Sequence, residues 1–164
     1  MALNLQQKKN IVTKINKIAK SSKSAIIAKI KKISVNKINK LRKNSRKKNV
    51  LIYIIKNTLL KISLQDTHLQ CLNNKIAGSI IIGFSKEHPG SAAKLFNSFS
   101  KKNKNFKIIS ATLNGKILSQ SEIIQLSNLP TYEEAIIRLI ITIKNATIGK
   151  LITVLQLIKK KIKT

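Results

Sequence analysis

The sequence predicts an α/β protein: a mixed β-sheet domain flanked by helices, followed by a long protruding C-terminal amphipathic helix. Three observations carry this expectation. Helical and strand-like apolar patterns alternate up to residue 129. Pro130 then punctuates the chain. Beyond it, no proline interrupts a helical pattern that reaches Lys163. Two parts follow: an α/β domain over residues 1–129 and a helical spine over residues 130–164.

Each element has its own signal. Residues 5–20 place Ile11, Ile15 and Ile18 on one face, with Leu5 and Val12 beside it, and residues 21–24 break the pattern. Ala25-Ile26-Ile27-Ala28 has the look of a short buried strand. Ser34 is placed to cap a second helix that turns Val35, Ile38 and Leu41 inward and Lys37, Lys40, Arg42, Lys43, Arg46 and Lys47 outward. Asn49 ends that helix, and Val50-Leu51-Ile52-Tyr53-Ile54-Ile55 is a strong strand. Strand, helix and strand in this span suggest a βαβ unit.

Asn57 stands in cap position before Thr58-Leu59-Leu60. A third strand is expected over 79–84, and Pro89 suits the first turn of a helix containing Ala92, Ala93, Leu95, Phe96 and Phe99. A fourth strand spans 106–113, Asn114-Gly115 makes a tight turn, and a short helix covers 119–126. In the last part Thr131 and Glu134 form a capping box. Arg138, Thr142, Asn145, Gly149, Thr153, Gln156, Lys160 and Lys163 trace a polar stripe. Ile136, Ile140, Ile143, Leu151, Val154 and Ile158 lie away from it, with Ile137, Ile141, Ile148, Leu155 and Ile162 widening the apolar face. At 1.5 Å per residue this helix would run about 50 Å, longer than such a domain is wide. Its apolar face therefore calls for a partner. A core helix of the same domain and a basic helix lying on a membrane are the competing readings; the absence of tryptophan weakens the second.

Composition narrows the function. With 33 Lys and Arg against 5 Asp and Glu, the 164-residue chain carries a formal charge of +28, which repels itself and asks for a polyanion or an acidic protein. Lys, Ile and Asn all have adenine- and thymine-rich codons, so part of the basicity is compatible with genomic drift. Hydrophobic residues make up 43% of the chain, too many for a disordered tail. Cys71 is the sole cysteine, which excludes an intrachain disulfide and a cysteine zinc cluster. The N-terminus lacks a secretory pattern and no apolar run approaches the roughly 20 residues needed to cross a bilayer, so a soluble cytoplasmic protein is expected.

Enzyme chemistry fits poorly. Asp66, Glu87, Glu122, Glu133 and Glu134 are the only acids, and neighbours such as Glu133 and Glu134 do not face one another on a helix. His68 and Cys71, three apart, could touch on a helix, but they are not expected to be catalytic. Glu87-His88-Pro89-Gly90 reads as a helix start rather than a metal site. No cofactor and no metal are expected. Lys56-Asn57-Thr58 lies where a strand gives way to a helix N-terminus, a place suited to a phosphate as well as to simple capping. Arg42 and Arg46, one helical turn apart, offer bidentate phosphate contacts, or else a solvated face. The expected RNA contacts are Lys31, Arg42, Arg46, Lys56, Asn57 and Thr58. With few aromatics, base stacking is not the expected mode of recognition. A generic nucleic-acid-binding protein and a peripheral membrane protein are the alternative functions.

Several segments together resemble one family. Met1-Ala2-Leu3-Asn4-Leu5, Ser34-Val35 leading to Leu41-Arg42, Lys56-Asn57-Thr58-Leu59-Leu60, Glu87-His88-Pro89-Gly90 with Ala92-Ala93, and Leu129-Pro130-Thr131-Tyr132-Glu133-Glu134-Ala135 occur in this order. They resemble the bacterial stalk-base proteins of the large ribosomal subunit, ribosomal protein ten. The resemblance implies an N-terminal domain on large-subunit rRNA beside ribosomal protein eleven. It also implies a C-terminal helix that binds dimers of the acidic stalk protein, seven/twelve, which recruit translational GTPases. The family usually has glycine where Lys32 and Asn49 stand. Asn tolerates a left-handed turn, whereas Lys32 is expected to shift its loop.

Overall fold

A computed structural model describes residues 4–150 together with residues 152, 154, 155, 158 and 159. The chain falls into two compact units, Met1–Leu129 and Pro130–Thr164.

The first unit is a five-stranded sheet with helices on both faces. Its elements are α1 (Leu5–Ser21), β1 (Ser24–Ile30), α2 (Val35–Lys47), β2 (Val50–Tyr53) and α3 (Asn57–Leu64). A 3-10 turn follows (Gln70–Lys75), then β3 (Ile80–Ser85), α4 (Gly90–Lys102), β4 (Phe106–Leu113), β5 (Lys116–Leu118) and α5 (Gln120–Asn128). The α/β class and the helix-flanked sheet are as expected. The strand order is β2-β3-β1-β4-β5, with every pairing antiparallel. The expected βαβ unit is present in split form: β3 lies between β1 and β2 and pairs antiparallel with both.

Alternation along the strands sorts two cores. Ile26 and Ala28 face α2, α4 and α5, where Leu41, Ala92, Ala93, Leu95, Phe96, Ile123 and Leu126 are buried. Ala25 and Ile27 face α1, α3 and the 3-10 turn, where Ile15, Ala19, Leu60, Leu64 and Leu72 are buried. Phe96 stands edge-on to Phe106 at 5.3 Å between ring centroids. A Cβ at Gly83 would lie 2.8 Å from Phe96 Cζ, so only glycine leaves room for that ring.

Local chemistry accounts for most boundaries. Asn4 and Gln7 form a capping box on α1, as do Ser119 and Glu122 on α5. Glu122 accepts from the backbone N–H of Ser119 and bonds its side chain, which holds its carboxyl below the ordinary value of 4.5. Ser34 precedes α2, as expected, but its side chain makes no capping bond. Asn114 and Gly115 both have positive φ and close a hairpin onto β5, a strand too short to register in the sequence pattern.

Lys32 and Asn49 have φ of 46° and 52°. Lys32 takes the left-handed conformation that costs a residue with a Cβ about 1–2 kcal/mol. Lys32→Gly is expected to stabilise the protein by up to about 1 kcal/mol, the gain being partly offset by glycine's freer unfolded chain. Urea denaturation measures it, and a loss of stability would show that Lys32 is held by contacts outweighing the strain.

The second unit begins with α6 (Tyr132–Lys144). Its capping box is formed: Glu134 N–H donates to Thr131 Oγ1 and Thr131 N–H to Glu134 Oε2, each at 3.3 Å. The expected single α-helix is interrupted, because residues Asn145–Gly149 form a π turn. Helical conformation resumes at the described residues beyond it. Gly149, which costs a helix about 1 kcal/mol relative to alanine, lies in this turn.

Candidate functional site

The topology separates the expected RNA contacts into two groups. β1 ends, β3 begins, β2 ends and β4 begins at one end of the sheet, as the pairs Lys29↔Ile80, Tyr53↔Ile82 and Ile30↔Phe106 require. Lys31 lies at that end, its N–H donating to the Asn105 carbonyl at 3.2 Å. The start of α3 is tied to the same region. Asn57 Nδ2 donates to the Gly78 carbonyl at 2.9 Å, and Ser79, the next residue, accepts from Ile30 N–H at 3.0 Å. Lys31, Lys56, Asn57 and Thr58 therefore gather around one rim.

Arg42 and Arg46 are elsewhere. They are exposed on α2, which runs from that rim toward the opposite end of the sheet; at 1.5 Å per residue Arg46 stands about 18 Å along the axis from Ser34. The assignment of Asn57 as a helix cap is corrected. Lys56 occupies the cap position, without a side-chain bond, and Asn57 is the first helical residue. Its amide fastens the helix start to the loop before β3 instead.

Four residues of the rim escaped the sequence reading. Lys31 shares a concavity of about 510 Å³ with Lys29, Lys104, Asn105 and Lys107. Lys29 and Lys107 are direct cross-strand neighbours. The available signal was alternation: Lys29 and Lys31 continue the face of Ala25 and Ile27, and Lys107 continues that of Ile109. Against so many lysines it did not stand out.

The expected partner-binding residues lie in the second unit. Ile136, Ile140, Ile143, Val154, Leu155 and Ile158 are all exposed, at 41–63%. Ile137, Leu139 and Ile141 are exposed as well, and α6 has no buried residue. Leu151, Thr153, Gln156, Lys160, Ile162 and Lys163 lie outside the described residues.

Three of the five acids hold structure. Glu122 and Glu134 cap helices, and Glu87 accepts from Asn49 Nδ2 at 3.2 Å. His68 Nε2 bonds the Ser22 carbonyl and Cys71 Sγ donates to the Gly115 carbonyl, so the two make separate contacts. Among the described residues no group of three or more His, Cys, Asp or Glu could hold a metal ion. No described helix is long and apolar enough to cross a membrane.

These features define a class: a strongly basic α/β protein in which Glu122 and Glu134 cap helices and Glu87 ties a loop. The family model of Ribosomal protein L10 matches residues 3–101. The large ribosomal subunit protein uL10 of Buchnera aphidicola subsp. Schizaphis graminum is 52% identical over 164 residues, covering 100% of this chain and 99% of the relative. Its counterpart from Wigglesworthia glossinidia brevipalpis is 48% identical over 156 residues (95% and 97%). That from Aeromonas hydrophila subsp. hydrophila is 42% identical over 159 residues (97% and 96%). The chain belongs to the ribosomal protein L10 family. It is a structural protein of the large ribosomal subunit, a ribosome-bound component of translation and not an enzyme.

Proposed function

We propose that this protein forms the base of the large-subunit stalk in the cytoplasm. Its first unit binds large-subunit rRNA beside ribosomal protein eleven. Its C-terminal helix anchors acidic stalk protein dimers, seven/twelve, and these recruit GTP-bound translation factors. The exposed apolar face of α6 is the observation that carries this reading. Six large aliphatic side chains between Ile136 and Ile143 are each at least 41% exposed, an apolar stretch of the kind that marks a protein-binding surface. The net charge of +28 supports the RNA-binding half.

The test combines the full chain with the acidic stalk protein and a stalk-base rRNA fragment, reading complex mass and affinity against salt. A ternary complex is expected, with RNA affinity falling about tenfold or more between 50 and 200 mM salt if three or more phosphates are neutralised. Equal affinity for random DNA would favour a generic nucleic-acid-binding protein. Sedimentation with anionic vesicles would favour a peripheral membrane protein.

A further inference from the structure

The sheet face toward α1 and α3 changes character at one end. Along β1 it presents Ala25 and Ile27, both buried, and then Lys29, with Lys31 just past the end of the strand. Along β4, Lys107 stands on the same face as partly buried Ile109. Lys29 and Lys107 are directly opposed across an antiparallel pair. Like charges in that position repel and weaken a sheet. With Lys104 and Asn105 these lysines line the concavity of about 510 Å³, and none of the chain's five acids is in its lining. Such a cluster favours an anion supplied from outside.

Its position is built rather than loose. The Lys31 N–H bond to Asn105 ties the loop after β1 to the loop before β4. The Lys29 stem crosses Gly78, where a Cβ would come within 3.2 Å of Lys29 Cε. The carbonyl of Gly78 in turn holds Asn57. The lining offers ammonium donors and one amide, with no aromatic ring to stack a base. Lys29 and Lys107 stand on adjacent strands about 4.8 Å apart, and Lys31 and Lys104 flank them in the adjoining loops, so the charges form a small grid rather than a single point. A chain of linked phosphates meets such a grid better than one small anion.

We infer that Lys29, Lys31, Lys104 and Lys107 seat the phosphodiester backbone of RNA. This inference rests on the rRNA-binding reading and gives it a location. The ligand is gripped by its backbone, so this end of the sheet fixes position and leaves sequence unread.

The test uses full-length protein and the stalk-base rRNA fragment, with affinity measured across a salt series. Lys29→Gln/Lys107→Gln is compared with Lys8→Gln/Lys9→Gln, an equal loss of charge on the exposed first turns of α1. The first variant is expected to flatten the slope of log affinity against log salt by about 1.5, two phosphate contacts being lost. Its thermal midpoint should hold or rise, since a repulsive pair has gone. The Lys8/Lys9 variant should leave the slope nearly unchanged. An unaltered slope in the Lys29/Lys107 variant, with wild-type binding still salt-dependent, overturns the inference and leaves the RNA reading standing. Equal flattening in both variants also overturns it, because total charge alone would then matter. Loss of acidic stalk protein binding with RNA binding intact assigns the basin to a protein and overturns it too. Failure of the wild type to bind the fragment at all removes the RNA reading and the inference together.

Discussion

Ending the chain at Pro130 is expected to abolish binding of the acidic stalk protein while leaving RNA affinity within a few-fold of the full chain. The first unit keeps both apolar cores without the last 34 residues, since every buried residue of each core lies before Pro130. The removed segment carries the exposed face of Ile136, Ile137, Ile140, Ile141 and Ile143. Burying one such side chain against a partner stabilises a complex by roughly 1.5–3 kcal/mol, so losing several removes any usable affinity. A second variant separates lost contacts from lost length. Ile137→Asp/Ile140→Asp in the full chain places two carboxylates on the same face and should weaken the complex by at least about a hundredfold. Pull-down and mass measurement with purified acidic stalk protein check both. A truncated chain that still copurified with those dimers would place the binding surface in the first unit.

Phe96→Ala is expected to destabilise the first unit by about 3–5 kcal/mol. The ring is fully buried. It lies edge-on to Phe106 and fills the space left by Gly83. Removing it opens a cavity between the sheet and α4 that the two rigid layers cannot collapse to fill. Domains of this size hold about 5–15 kcal/mol in all, so urea denaturation should show a large fall in midpoint. Gly83→Ala alone should also destabilise, because its methyl would meet the ring at 2.8 Å. In the Phe96→Ala background the same methyl has room, so the two effects should be strongly non-additive. Additive losses would mean that residues 83 and 96 do not share one packing site.

The elements themselves were legible because their signals are local. Residues 106–113 form β4 with the bounds the sequence predicts, and Thr131 with Glu134 marks the start of α6. The order of the strands was not, since β1 pairs with β3 and β4 across loops that carry no trace of the pairing in their own composition. β5 and the 3-10 turn are too short to show a period. Among the expected RNA contacts, Lys31 and the Lys56-Asn57-Thr58 segment meet at one rim because Asn57 reaches Gly78. Arg42 and Arg46 belong to a different stretch of surface, on α2. Lys29 and Lys107 became neighbours only through antiparallel register, 78 positions apart along the chain.

The π turn at Asn145–Gly149 resets the angular phase of the described helical residues after it. Such a turn takes in one residue more than an α turn, and each residue advances the helix by about 100°. Val154, Leu155 and Ile158 are therefore aimed about a quarter-revolution from where an unbroken α-helix continuing Ile136, Ile140 and Ile143 would aim them. A straight groove cannot follow both stretches at once. Whatever covers the first stretch must bend, or end, before the second is reached.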